Sequence, residues 1–337
     1  MRDVHVPVID VAPFLAGDAA ASRALAREVD VACREIGFLT VVGHAVPETL
    51  IEEARDAALG FFRLPLGEKL RTPRPSHESG RGYTVFGDQA LAYSLGVETP
   101  PDLQESFGIG PLDAPPDDPY YAAPEAWTFF APNIWPSAPI EFRPALSRYF
   151  AKIDILSRRL MGLFALALGL DERYFDDKVD RPVSSMRAVH YPPLRATPQP
   201  GQLRAGAHSD YGSLTILQTD DDPGCLQVKT RRGDWIDVFP PPGAFVVNLG
   251  DLMSRWTNER WISTLHRVAI PPDGRDGSRL SLVFFGQPNY DAVIECLPTC
   301  RGPDNPPRHP PISTVELSRS KHMKVRYKDV GYEAARP

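Results

Sequence analysis

The stretch from Pro182 to Phe285 constrains this chain more than any other feature. It breaks into short β-type runs separated by Gly, Pro and Asp clusters: Ser185 to Tyr191, Leu214 to Gln218, Leu226 to Lys229, Trp235 to Val238, Phe245 to Leu249, His266 to Ile270 and Leu280 to Phe285. Each run is too short to be a stable helix and is rich in Val, Ile, Leu, Phe and Thr. Many short strands at close spacing fold as a sandwich or barrel. A double-sheet jelly roll is the economical solution, because its two sheets bury each other and enclose a ligand cavity.

The N-terminal half reads differently. Val6 to Val11 suggests a short strand, and Ser22 is placed to cap a helix whose apolar positions Leu25, Val29, Ala32, Cys33 and Ile36 recur at helical spacing. Gly37 stops that helix, and Phe38 to Val42 suits a buried strand. A second helix is expected over Glu48 to Phe62. From about 143 to 168, Leu146, Phe150, Ile153, Leu156, Leu160, Leu163, Phe164 and Leu168 share one helical face, and Gly169 ends it. The expected fold is mixed α+β: a distorted double-stranded β-helix braced by helices, with a mainly helical N-terminal half. We expect an N-terminal region over 1–180, a jelly-roll core over 181–300 and a C-terminal extension over 301–337. The composition change near Pro182 is not a flexible linker, so the two halves should pack as one body.

Composition excludes several functions. With 337 residues and 42% hydrophobic residues, the chain can bury a large core. Its net charge of −6, without a polybasic tract, disfavours nucleic acid and anionic membrane as partners. No apolar run is long enough to span a bilayer, and the start lacks the apolar stretch of a signal peptide. The cysteines Cys33, Cys225, Cys296 and Cys300 are scattered, and read as reduced thiols in a cytoplasmic protein. Proline is abundant at 36 residues, and much of it clusters at 100–144, 192–200 and 298–311, which read as ordered loops. Oligomeric state leaves no signal.

The chemistry concentrates in three places. His208-Ser209-Asp210 puts two ligating side chains at i and i+2, on one face if the backbone is extended. His266 opens a second strand in Ser263-Thr264-Leu265-His266-Arg267-Val268. Two imidazoles and one carboxylate suit the facial triad of an oxygen-activating iron(II) site, which leaves positions open for a bidentate acid and dioxygen. Arg279 and Ser281 then share one face of a strand that follows a turn at Pro271-Pro272-Asp273-Gly274. A guanidinium beside a hydroxyl, pointing into a barrel, is a carboxylate clamp. Taken singly, each feature has a plain structural alternative. His-x-Asp is common without a metal, His266 alone suits a hydrogen-bonded core histidine, and Arg279 alone suits a salt bridge.

In combination, His208-x-Asp210, His266 and Arg279-x-Ser281 resemble the isopenicillin N synthase-like branch of the iron(II)/2-oxoglutarate dioxygenases. His190-Tyr191-Pro192-Pro193, Val247-Asn248-Leu249-Gly250-Asp251, Trp256-Thr257-Asn258, Pro7-Val8-Ile9-Asp10, Gly37-Phe38, Gly43-His44, Phe61-Phe62, the run from Thr99 to Phe107 and Asn133-Ile134-Trp135-Pro136 extend the resemblance over nearly the whole chain. It implies iron(II) on His208, Asp210 and His266, and 2-oxoglutarate held by Arg279 and Ser281 with help from Tyr191. Dioxygen would then oxidise a small-molecule substrate, by hydroxylation, desaturation or ring closure, with release of succinate and CO2; ascorbate helps such enzymes in vitro. One departure stands out: many relatives carry Asn where this chain has Val189. Tyr83, Phe107 and Phe285 are the substrate-pocket candidates, Phe285 because it continues the alternation from Arg279 and Ser281. His44 and His190 read as structural, and the acidic run Asp220-Asp221-Asp222 as a solvated turn rather than a calcium site. Two other functions remain open: an oxidase of the same family that uses no 2-oxoglutarate, and, more remotely, a jelly-roll binding protein or a zinc hydrolase.

Overall fold

The computed structural model describes residues 5–75, 80–194, 196–219, 225–271 and 277–324, with side chains through 319. The acidic run beginning at Asp220 and most of the turn after Pro271 lie outside the described residues.

Fourteen strands are present among the described residues: β1 (Val8–Asp10), β2 (Phe38–Val42), β3 (Gly82–Thr84), β4 (Glu105–Ile109), β5 (Ser185–Tyr191), β6 (Ala205–His208), β7 (Leu214–Thr219), β8 (Leu226–Lys229), β9 (Trp235–Asp237), β10 (Phe245–Leu249), β11 (His266–Val268), β12 (Arg279–Gly286), β13 (Val293–Ile294) and β14 (Ile312–Ser313). An eight-stranded sheet runs β1-β2-β10-β7-β12-β5-β4-β3, and a four-stranded sheet runs β6-β11-β8-β9. Among the described residues the β1–β2 ladder is parallel and the other ladders are antiparallel, which short connections allow.

The N-terminal half is therefore less purely helical than its sequence suggests. It supplies both flanks of the large sheet, β1 and β2 on one side and β4 and β3 on the other. Strands β3 and β4 carry no clean alternation; β4 forms on the edge that β5 offers, and β3 on the edge of β4.

The helices brace the other face of this sheet. The long helix Phe142–Ala167 and its C-cap Leu168 bury all eight positions of the expected stripe, from Leu146 through Leu168. Phe150 meets Phe284 of β12 edge to face, with ring centroids 5.2 Å apart. Each such large apolar side chain contributes about 1.5–3 kcal/mol by leaving water. The helix Glu48–Phe62 matches its expected bounds.

The first long helix begins earlier than Ser22. It spans Ala19–Glu35 and is capped by Asp18, whose Oδ1 accepts from the amides of Ala20 at 2.9 Å and Ala21 at 3.0 Å. Ser22 lies inside the first turn and donates to the Asp18 carbonyl at 2.6 Å. A carboxylate can satisfy two of the four orphan amides at a helix start, so Asp18 takes the cap. Gly37 follows with φ +66°, and a Cβ there would lie 2.2 Å from the Ile262 carbonyl oxygen, so only glycine fits. No helix among the described residues is long and apolar enough to cross a membrane.

Candidate active site

Two strands of the small sheet and one loop build the centre of the site. β6 and β11 pair with His208 directly opposite His266, which brings the two ring centroids to 4.3 Å. The strand ends at His208, so Asp210 is not presented by continued extended structure, as the i and i+2 spacing suggests. It arrives on the loop to β7, which is pinned by backbone: the Asp251 amide donates to the Asp210 carbonyl at 2.8 Å and the Gly250 amide to the Ser213 carbonyl at 3.2 Å. A Cβ on Gly250 would lie 2.2 Å from the Gly212 carbonyl oxygen, so glycine permits that approach. Asp210 Oδ1 then lies 3.9 Å from His208 Nε2 and 3.9 Å from His266 Nε2. One ligand atom from each residue falls within 4.8 Å of the others, a set that can hold one metal ion.

The surrounding hydrogen bonds aim these atoms. Carbonyl oxygens can only accept, so His208 Nδ1–H donates to Gly206 at 2.8 Å and His266 Nδ1–H donates to Thr264 at 3.1 Å. Both Nε2 lone pairs are thereby left facing Asp210. Asp210 Oδ2 accepts from Thr215 Oγ1 at 2.5 Å and Asn248 Nδ2 at 2.7 Å. Its other oxygen remains for a metal. Phe38 packs edge-on against His266 at 5.4 Å. Burial, and then the neighbouring His266, push His208 down to about 4, so its imidazole is neutral near pH 7. Burial alone would raise Asp210, but His266, His208 and the bonds from Asn248 and Thr215 outweigh it and hold the carboxyl below its ordinary range. A neutral imidazole and an ionised carboxylate are the forms that bind a metal.

The large sheet supplies the facing wall. Residues paired across its ladders share a face. Arg279 pairs with Tyr191, and Ser281 pairs with both Val189 and Thr219. Arg279 is 6% exposed, Ser281 2% and Tyr191 5%. Arg279 Nε donates to Ser281 Oγ at 3.4 Å, and its guanidinium carbon lies 5.8 Å from the centre of the Tyr191 ring. Thr219 Oγ1 is buried beside them with no hydrogen-bond partner among the described residues. Burial pushes Tyr191 up to about 12, so it acts as a neutral donor. Val189 packs with Tyr191, Ala205 and Val268 as an apolar spacer.

The substrate-pocket candidates divide. Phe285 pairs with Ser185 and with Thr215, the residue that bonds Asp210, and keeps partial exposure. Phe107 pairs with Ala188, whose face is opposite to that of Tyr191 and Val189, and Tyr83 pairs with Phe107. Both lie in the helix-facing core: Phe107 against Phe61 at 4.9 Å and Phe142 at 4.8 Å, Tyr83 against Phe61 at 5.7 Å. The structure does not bring either to the triad. The Tyr83 hydroxyl instead donates to Glu105 Oε2 at 2.5 Å, in a buried network with Lys69 and His190. His190 thus faces away from the triad, and His44 bridges the Gly243 carbonyl and the Val46 amide, both as the sequence suggests.

Sequence reading overlooks Arg187. Its partners are Val283 on β12 and Gly108 on β4, so it faces inward with Tyr191 and Val189. The signal is the alternation Arg187, Val189, Tyr191, which puts a guanidinium at an inward strand position.

Comparison with known proteins agrees with this geometry. Residues 6–138 match the model of the non-haem dioxygenase in morphine synthesis N-terminal family, and residues 182–288 match that of the 2OG-Fe(II) oxygenase superfamily. The chain is 36% identical to the 2-oxoglutarate-Fe(II) type oxidoreductase hxnY of Emericella nidulans, over 96% of this chain and 91% of that protein. It is 33% identical to homoarginine-6-hydroxylase 2-ODD-C23.1 of Arabidopsis thaliana, over 88% of each. Among solved structures, a full-length Neurospora crassa protein in complex with alpha-KG and thymine superposes with a TM-score of 0.82 at 30% identity, covering 94% of this chain and 96% of that one.

Proposed function

We propose that this chain, which belongs to the 2OG-Fe(II) oxygenase superfamily, holds its iron on His208, Asp210 and His266 and its 2-oxoglutarate on Arg279, Ser281 and Thr219, with Tyr191 alongside. The enzyme is an iron(II)- and 2-oxoglutarate-dependent oxidoreductase that consumes dioxygen. That membership sets aside the binding-protein and zinc-hydrolase readings.

The observation that carries the residue assignment is the closed hydrogen-bonding of the triad. Each ligand's second polar atom is tied to protein, so one ligand atom per residue is left, and all three converge. Ligand sets held from behind in this way fix tautomer and orientation. The site also fits the cosubstrate. The buried Thr219 hydroxyl lacks a partner among the described residues beside Ser281 and Arg279, and a carboxylate seated there gives it an acceptor while pairing the guanidinium. Similarity over nearly the whole chain to a 2-oxoglutarate-Fe(II) type oxidoreductase favours 2-oxoglutarate as that carboxylate over the same-family oxidase alternative.

When bound, iron(II) with 2-oxoglutarate and dioxygen supplies the oxidising chemistry, with succinate and CO2 as co-products. The chain's residues orient and enclose it. His208 stays neutral, both histidines are fixed by their Nδ1–H bonds, and Asp210 stays ionised. Arg279 sets the distance of the cosubstrate from the triad, Tyr191 donates as a neutral phenol, and Val189, Ala205 and Val268 keep that contact dry. The substrate is a small molecule lying against Phe285, and hydroxylation is the outcome we favour because the similar Arabidopsis protein is named a hydroxylase. We place the enzyme in the cytoplasm, in keeping with the reduced thiols of Cys33, Cys296 and Cys300.

The test is equilibrium dialysis of iron(II) under argon against wild type and the His208→Ala, Asp210→Ala and His266→Ala proteins. It is joined to a substrate screen reading succinate in air with iron(II) and ascorbate. Each variant should lose most of its iron and all succinate release; a His266→Ala protein that holds a full equivalent of iron refutes the assignment.

A further inference from the structure

Arg187 stands on the cavity wall without a counter-ion. Among the described residues its guanidinium makes no hydrogen bond and no ion pair, and the charged groups it feels are Arg74, which repels it, and Asp210. Asp210 is already committed, with one oxygen on Thr215 and Asn248 and the other toward the histidines. The side chain keeps some accessible surface, yet burial is the main force pushing it down to about 10. Accessible surface on a deeply enclosed group is surface facing an internal cavity.

The register fixes what surrounds it. Along the wall, the Tyr191–Arg279 pair is followed by Val189 with Ser281 and Thr219. Arg187 with Val283 and Leu217 comes next, then Ser185 with Phe285 and Thr215. Arg187 therefore sits four residues, roughly 13 Å of strand, from the cosubstrate clamp. It is one pleat from Phe285, at the end of the wall where Thr215 reaches Asp210. Iron(II), Asp210, a dianionic cosubstrate and Arg279 cancel in charge, and Arg187 remains as an excess cation. A buried unpaired charge is strongly unfavourable unless something completes it.

We propose that Arg187 is the anchor for the substrate, and that the substrate is a compact carboxylic acid whose carboxylate pairs with this guanidinium while its apolar body lies against Val283 and Phe285. This rests on the oxygenase reading above and adds a substrate class to it. Arg187 selects the acid because a planar fork matches a carboxylate in two parallel hydrogen bonds. An amide of the same shape offers one acceptor and repels with its own donors. Charge-assisted bonds exceed neutral ones by about 1.4 kcal/mol, so the acid should bind roughly tenfold tighter than its amide.

The probes are matched carboxylates and primary amides, aliphatic and aryl-substituted, such as hexanoate with hexanamide and 3-phenylpropanoate with 3-phenylpropanamide. They are titrated into the iron-loaded enzyme under argon, with and without 2-oxoglutarate. Wild type should prefer acids, Arg187→Gln should show no preference, and Arg187→Lys should recover part of it. Absence of an acid preference in wild type, or its persistence in Arg187→Gln, overturns the proposal. An independent reading needs no ligand: Arg187→Leu removes an unpaired charge, so the ligand-free protein should melt at the same temperature or higher, whereas a fall would reveal a structural partner and overturn it. Loss of 2-oxoglutarate binding in the Arg187 variants would instead place Arg187 in the cosubstrate site, again against the proposal. If wild type binds no 2-oxoglutarate, the residue assignment of the previous section fails, while the acid preference measured with iron alone still judges this one.

Discussion

Replacing Arg279 by Gln removes the cation of the proposed clamp and leaves its geometry otherwise intact. Arg279 is 6% exposed and Ser281 beside it 2%, so an acid bound there is out of water and little screened. Breaking a buried ion pair by removing one partner costs about 3–5 kcal/mol, because the remaining charge is stranded. At 1.4 kcal/mol per factor of ten, 2-oxoglutarate should bind Arg279→Gln roughly a hundredfold to several thousandfold more weakly. Arg279→Lys should fall between, keeping the charge but losing the fork. Ser281→Ala should cost about 1 kcal/mol, roughly fivefold, because it removes one neutral hydrogen bond. Isothermal titration of 2-oxoglutarate into anaerobic iron-loaded protein measures all four affinities, and iron content should be unchanged throughout. If Arg279→Gln binds 2-oxoglutarate as tightly as wild type, the clamp lies elsewhere. If wild type binds none and a substrate alone drives oxygen uptake, the oxidase alternative replaces this reading.

Three further outcomes follow from the same structure. Thr215→Val removes the 2.5 Å bond to Asp210 Oδ2 without touching a ligand, so iron affinity measured by chelator competition should fall about 10–100-fold; unchanged affinity would show that the bond does not orient the carboxylate. Phe150→Ala opens the seam between the long helix and β12 and should cost about 3–5 kcal/mol in guanidinium unfolding, whereas a loss well below 1 kcal/mol would contradict the packing. Burial would raise the Glu105 carboxyl, but its bonds to His190, Lys69 and Tyr83 outweigh that and depress it; the stabilisation is therefore present above the ordinary glutamate value and lost as pH falls through the folded one. The stability gap between wild type and Glu105→Gln should shrink on acidification below about 4.3, and a gap that widens there reverses the sign.

The ligand set and the strands that carry it are legible because their signals are local. A short β-type run bounded by breakers names β5, β8 and β10 to the residue. Ser22 passes for a cap because the three alanines after Asp18 carry no polar–apolar contrast, so nothing marks the true start. Tyr83 and Phe107 pass for pocket residues because facing depends on register: β4 is set by its pairing with β5 and β3 by its pairing with β4, and one residue of register decides which layer a ring enters. Arg187 lies in plain view of the alternation that finds Tyr191. What the sequence does not display is that its acidic neighbour, Asp210, is already committed elsewhere, which only the assembled wall reveals. Asp210 is the converse case: its identity is readable but its local geometry is not, since a backbone-pinned loop delivers it.

The placement of β2 and β4 has a consequence for truncation. Were the chain cut near Pro182, β10 would lose β2 and β5 would lose β4 along their whole ladders. The separated C-terminal piece would carry two raw strand edges, each lined with unpaired amides and carbonyls and flanked by apolar side chains such as Val246, Val247 and Met186. Such edges are templates for edge-to-edge association. The residues proposed to hold the iron all lie after the cut, yet the N-terminal strands are what keep their scaffold from aggregating.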